Sequence, residues 1–438
     1  MLYRCFISLL LAAFVVSPAS ALDETEEAIR AAIHLNGGDA LKLLEEAVNI
    51  NSGTLNREGV RAVGQLFRDA FDELGFTTRW IDGESFGRGG HLVARYGRRG
   101  PRILLIGHLD TVFAPDSAFQ RFERIDERYA RGPGISDMKG GNVIILEAAK
   151  ALAAAGVLDE LQLWVVLTGD EESRGAPLAL ANRELLAAGD WADIALGFED
   201  GDSDPRTAVT ARRSSSRWTL TVTGKAAHSS QIFRDDVGYG AALEISRILD
   251  EWRKALSAVP NLTFNPGMVM AGTDLEHSAD DTRGTVFGKG NVIARSAIAT
   301  GGMRAISAEQ IAIAETAMRR ILAANLSHTS ATLEIEHGYP PMAPTEANER
   351  LLAAYSELSQ ELGHGSVEAV DPRRAGAADI SFVADRVGAA LDGLGLMGSG
   401  GHTVNEVADL FTLPSQTERA ALLLYRIARG KAGPGVDP

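Results

Sequence analysis

Five short stretches of the chain concentrate side chains that bind divalent cations or carry protons. They are Gly107-His108-Leu109-Asp110-Thr111, the Gly-rich run around Asp137, Gly169-Asp170-Glu171-Glu172, Gly197-Phe198-Glu199-Asp200, and the loop from Gly398 through His402 to Glu406. In the first, an aspartate two positions after a histidine can orient the ring while its free nitrogen holds a metal. The same pair is also common on ordinary surfaces. Asp137, between a Gly/Pro loop and a helical run, can bridge two metals or simply cap the helix. Three adjacent carboxylates at 170–172 follow an apolar run and repel one another unless cations or donors sit nearby, which favours a functional reading. The Glu199-Asp200 pair and His402 are weak signals alone. Only nine histidines occur in the chain, however, and two of them lie beside these acidic clusters.

Taken together, His108, Asp137, Glu172, Glu199 and His402 supply two imidazoles and three carboxylates. That set suits two zinc ions that share one carboxylate and each keep an open position. Such a pair activates water and polarises a substrate carbonyl. Glu171, next to Glu172, is placed to take the proton from that water and pass it to a leaving amine.

Each of these stretches falls where a strand should end. Residues 103–106 are continuously apolar, as a strand buried on both faces is, residues 161–167 read as another buried strand, and residues 77–81 and 91–96 are also β-like. Helical periodicity covers 24–74, before these strands, and 140–154, between the two buried ones. The alternation predicts an α/β fold with a mostly parallel sheet. The texture changes near Ser215: residues 218–222 alternate, 238–248 read as helix, 286–298 as strand, 307–326 as a helix with a capping-box start, and 332–336 as another alternating strand. Two helices on a four-stranded antiparallel sheet make an inserted α+β domain. The predicted division is a catalytic domain of 22–214 and 339–438, with 215–338 inserted.

The first 21 residues read as an export signal: Arg4, an apolar run over 6–16, and Ala19-Ser20-Ala21 as a cleavage pattern. The expectation is a periplasmic or secreted protein cleaved after Ala21. Cys5 is the only cysteine, so the mature chain has no disulfide and no thiolate ligand. A formal net charge of −15 argues against a nucleic-acid partner, because phosphate binding needs clustered basic residues.

The motifs GHLDTV, GPGISDMKGG, GDEESRG, GFED and GSGGHTVNE, in this order, resemble those of the M20 metallopeptidases, closest to the glutamate carboxypeptidase branch. The resemblance implies that His108, Asp137 and Glu199 bind one zinc, that Asp137, Glu172 and His402 bind the other, and that Asp137 bridges. It implies that Asp110 orients His108 and that Glu171 is the general base. It also implies that the inserted domain is a lid and a dimerisation surface. His228 would stabilise the oxyanion, Asn291 would contact substrate, and Arg304 would grip a substrate carboxylate. Two segments depart from the pattern: Gly338-Tyr339-Pro340 where the branch carries a second arginine, and Ala375-Gly376-Ala377-Ala378-Asp379 in place of its Gly-x-Gly-Thr-Asp loop. Glutamate specificity is therefore not carried over.

The expected activity is zinc-dependent exopeptidase cleavage of an amide bond next to a free carboxylate. The substrate would be a small peptide or an N-acyl amino acid, the latter making the enzyme a deacylase. A homologue that binds peptides without catalysis is a different class, and the survival of every ligand and of Glu171 argues against it.

Overall fold

The computed structural model describes residues 22–278 and 283–433; the export signal expected over 1–21 lies outside them. Helix α1 (Glu24–Val48) starts on a capping box in which Asp23 accepts from the Thr25 and Glu26 amides and Glu26 reaches back. Helix α2 (Arg57–Glu73) follows, with Asn56 capping it. Then come strands β1 (Thr77–Asp82), β2 (Gly90–Tyr96) and β3 (Arg102–His108), helix α3 (Gly140–Ala154), strand β4 (Gln162–Thr168), helix α4 (Arg183–Trp191) and strand β5 (Ile194–Gly197).

An inserted unit comes next, with strand β6 (Ser216–Gly224), helix α5 (Gly240–Leu256), strands β7 (Thr263–Gly272) and β8 (Ser296–Arg304), helix α6 (Ala308–Leu322) and strand β9 (Thr329–His337). The chain then returns through helix α7 (Glu346–Glu361), strand β10 (Ala389–Leu391) and helix α8 (Thr412–Ala428).

The main sheet has six strands in the order β1-β2-β4-β3-β5-β10. Pairs β4–β3, β3–β5 and β5–β10 are parallel, while β1–β2 and β2–β4 are antiparallel. Its central strands β3, β4 and β5 are apolar on both faces because both are covered. Ile103 and Leu105 of β3 point into one core with Val143 of α3, Leu44 of α1 and Leu422 of α8. Leu104 and Ile106 point into the opposite core with Leu185 of α4 and Phe382. From β3 the chain passes by α3 to β4 on one side, and later to β5 on the other. The strand order therefore reverses at β3, and the carboxyl ends around such a reversal form a crevice.

The inserted unit is a four-stranded antiparallel sheet, β7-β8-β6-β9. Its own core has Trp218 and Leu220 of β6 against Ile245 and Trp252 of α5 and Met318 of α6. The expectation of a strand over 286–298 needs correcting. A short strand, Gly284–Phe287, pairs with Asp274–His277 as a separate ribbon, and β8 begins only at Ser296. Gly288 and Gly290 interrupt the β-pattern between them. Where the chain enters and leaves this unit, Ser215 and Tyr339 are joined through main-chain hydrogen bonds from Ser215 N–H to Tyr339 O (2.9 Å) and from Gly338 N–H to Ser215 O (3.0 Å). Among the described residues no helix is long and apolar enough to cross a membrane.

Candidate metal centre and active site

Neighbouring parallel strands β4, β3 and β5 end side by side, and each delivers part of one cluster. His108 is the last residue of β3 and is 1% exposed. Its Nδ1 donates to the main-chain oxygen of Asp110 (3.0 Å), with the Asp110 carboxylate at 3.5 Å. A carbonyl only accepts, so Nδ1 carries a proton and Nε2 is the nitrogen that faces the cluster. Nε2 lies 3.1 Å from Asp137 Oδ1 and 3.6 Å from Glu199 Oε1. On the other side of Asp137, His402 Nε2 is 2.9 Å from Asp137 Oδ2 and 3.1 Å from Glu172 Oε2. The donors form two groups, His108–Asp137–Glu199 and Asp137–Glu172–His402, with the atoms of each within 4.8 Å of one another. Asp137 is common to both. Two mixed imidazole–carboxylate sets sharing one carboxylate fit a pair of divalent cations.

Asp110 does more than face a histidine ring. Its Oδ1 accepts the Glu171 amide (3.0 Å), and its Oδ2 accepts the Glu172 amide (3.1 Å) and the Thr54 hydroxyl (2.6 Å). One buried carboxylate thus links a candidate ligand on β3 to the candidate base and a second candidate ligand after β4.

His228, Asn291 and Arg304 all lie on the inserted unit, and none of them is buried. The Ser229 amide donates to Asn291 O (2.9 Å), so the segments carrying His228 and Asn291 run together. Arg304 ends β8 opposite Thr263. The structure thus brings the five candidate ligands and Glu171 together at the sheet and sets these three residues apart on the other unit.

Residues 104–429 match Peptidase family M20/M25/M40. The chain belongs to this family. Carboxypeptidase G2 of Pseudomonas sp. (strain RS-16) is 27% identical over 399 residues, covering 89% of this chain and 90% of that protein. The aminopeptidase PepT of Bacillus cereus ATCC 10987 superposes with a TM-score of 0.69 at 17% identity, over 90% of this chain and 99% of that one. The YXEP protein of Bacillus subtilis, described as a dinuclear metal-binding peptidase of the M20 family, gives a TM-score of 0.59 at 15% identity over 90% and 99%. The structural likenesses show the shared fold, and membership makes this chain an M20 hydrolase.

Several supports of this M20 site escape a reading of the sequence. Glu406, 1% exposed, accepts the amides of Gly134 (2.9 Å), Ser136 (3.0 Å) and Asp137 (3.2 Å) and the Ser136 hydroxyl (3.2 Å). It holds the loop that presents Asp137. Its place in the GSGGHTVNE motif is visible, but its partners lie far away along the chain. Glu199 is backed by Asp392, which accepts its amide at 3.4 Å and pairs with buried Arg212 at 2.8 Å. The Asn142 side chain donates to His108 O (2.6 Å).

Among protein charges alone, burial and then Glu199 push the Glu171 carboxyl up to about 8, and burial takes Glu172 to about 7. Hydrogen bonds to Asp137 and Glu172 hold His402 protonated up to about 11. Burial alone would lower His108, but Glu199, Asp110 and Asp137 outweigh it and leave it well above the ordinary range. So many carboxylates crowded around two protonated imidazoles is the balance that divalent cations invert. Replacing Glu406 by Ala is expected to weaken metal binding by roughly 10–100-fold, the usual cost of losing an outer hydrogen-bond partner of a ligand. Competition against a chelator measures this, and wild-type affinity in the variant would remove Glu406 from the site's support.

Proposed function

We propose that this M20 hydrolase is a two-zinc exopeptidase that cleaves an amide bond next to a free carboxylate. The observation that carries the reading is the sharing of Asp137 by two three-donor groups, with the Glu171 main chain fixed beside them through Asp110. Imidazole and carboxylate donors accept zinc well. His108, Asp137 and Glu199 would hold one cation and Asp137, Glu172 and His402 the other, and there the pair would supply a Lewis acid and a water of lowered pKa. Glu171 removes a proton from the attacking water and returns it to the leaving nitrogen.

Features of the inserted unit support the substrate half of the reading. The Ser230 amide donates to His228 Nδ1 (3.3 Å), which puts the ring proton on Nε2, where it can donate to a developing oxyanion. The position of His228 away from the core fits delivery from a second copy paired through the inserted unit. Arg304 has basic company: Arg213 donates to Thr263 Oγ1 (3.1 Å), and Thr263 is the strand partner of Arg304. Arg213 also reaches the main chain of Arg373 (3.4 Å). Arginines gathered at one place attract a carboxylate and bind it bidentately. Export belongs to the same reading, and cleavage after Ala21 leaves the Asp23 cap of α1 intact.

The test is metal analysis together with hydrolysis of a panel of dipeptides and N-acyl amino acids. About two zinc equivalents with chelator-sensitive release of the C-terminal residue are expected. Absence of bound metal, with no rescue by added zinc, would end the proposal. If Arg304 holds the substrate carboxylate, Arg304→Ala should raise KM for free acids by about 10-fold or more, in line with roughly 1.5–3 kcal/mol for a charged hydrogen bond. The corresponding amides should change little; equal losses on acids and amides would make Arg304 structural.

A further inference from the structure

Behind Glu171 lies a partly buried network that the proposed chemistry does not use. The Tyr339 hydroxyl donates to the main-chain oxygen of Glu171 (2.7 Å) and accepts from Arg174 Nη2 (3.0 Å). Its one proton and a lone pair are thereby both engaged. Arg174 is itself enclosed: Nη1 donates to Asp170 Oδ1 (2.6 Å), Nη2 contacts Asp379, and the Tyr339 and Phe382 rings each lie 5.4 Å from its guanidinium carbon. Asp170 accepts the Gly175 amide (2.9 Å), and Asp379 accepts the hydroxyl of Thr168, the last residue of β4 (2.5 Å). The Tyr339 ring packs on Phe382 with centroids 4.8 Å apart. Side chains with this many partners have little freedom to move.

Tyr339 also sits on the return connection from the inserted unit, where its main-chain oxygen accepts the Ser215 amide. The segment 170–175 is therefore tied both to the end of the sheet, through Asp110 and through Thr168 by way of Asp379, and to the neck of the inserted unit, through Tyr339. We propose that the Tyr339 hydroxyl, backed by Arg174, is a positioning device that locks the main chain of Glu171 to that neck. Position 339 then serves the base and not the substrate side chain. The inference rests on Glu171 being the proton carrier, since a small displacement of such a group costs rate more than binding.

Tyr339→Phe removes the hydroxyl and keeps the ring packing, so it isolates the contact. Two measurements on the metal-loaded full chain decide the matter. The first is hydrogen exchange of the amides in 169–175, which does not depend on turnover. Exchange about 10-fold faster than wild type is expected, and an unchanged rate overturns the anchor. The second is kinetics in two backgrounds. With Glu171 present, kcat should fall about 10-fold while KM stays within about twofold and the metal content is unchanged. With Glu171→Gln, loss of the hydroxyl should change kcat by less than about twofold, because residues acting as a unit are not additive.

A rise in KM alone would make Tyr339 a substrate contact. A 10-fold fall that persists in the Glu171→Gln background would make it a general structural residue. Either result sinks the proposal. Normal turnover of Glu171→Gln itself would instead defeat the functional reading, and the exchange measurement would still judge the anchor.

Discussion

Glu171→Gln is expected to keep its full complement of metal and to lose turnover by roughly 10²–10⁴-fold, the range general acid–base catalysis supplies. Glutamine has nearly the size of glutamate, and the Glu171 main chain is held independently by Asp110 (3.0 Å) and Tyr339 (2.7 Å), so the loop should not rearrange. Neither group of candidate ligands contains Glu171. The change therefore removes proton transfer and little else, and kcat should carry the loss while substrate affinity holds. Metal analysis and steady-state kinetics on one preparation settle it. A variant with normal turnover takes Glu171 out of the mechanism, and one that loses metal shows that the carboxylate is structural.

Asp137→Ala is expected to have the broader effect, because both groups of donors lose a member at once. Asp137 is held strongly ionised: burial works against this, but hydrogen bonds from His108 and His402 outweigh it. Without that charge two imidazoles and two carboxylates remain, none of them common to both groups. Metal content should fall below one equivalent where wild type is expected to hold two, and hydrolysis should fall with it. The loss should exceed the roughly 10–100-fold expected for an outer partner such as Glu406. Binding to the native state raises thermal stability by mass action, so added zinc should raise Tm for wild type and not for the variant. Two retained equivalents in Asp137→Ala would refute the shared-ligand arrangement.

His108, Glu172 and Glu199 were legible as candidate ligands because each ends or follows an apolar strand. Residues 103–106 are apolar throughout and 161–167 nearly so, Gln162 excepted, and the polar residues just beyond them lie at the carboxyl ends of the strands. Helix α3 was equally plain, its predicted span matching Gly140–Ala154. The supports were not legible, because nothing local marks them. Glu406 looks like any surface glutamate until the fold brings it to the amides of 134–137. Tyr339 read as a missing arginine, whereas its hydroxyl meets a residue far back along the chain. The strand expected at 286–298 failed for a related reason: β-branched residues set the periodicity, but glycines and the pairing of neighbouring segments decided where hydrogen bonding begins.

The sharing of Asp137 between residues near and far in the chain also bears on how the molecule is made. The group His108–Asp137–Glu199 is complete once residue 199 has been synthesised, whereas the group with His402 waits until residue 402. Even the early group lacks its brace, since the loop bearing Asp137 is fastened by Glu406. A ribosome therefore releases every donor of one pocket long before it releases the parts that make that pocket rigid. Distant pairings of this kind form late and slowly. Synthesis through Glu406, and not the appearance of the first ligands, sets the moment at which the candidate site can become rigid.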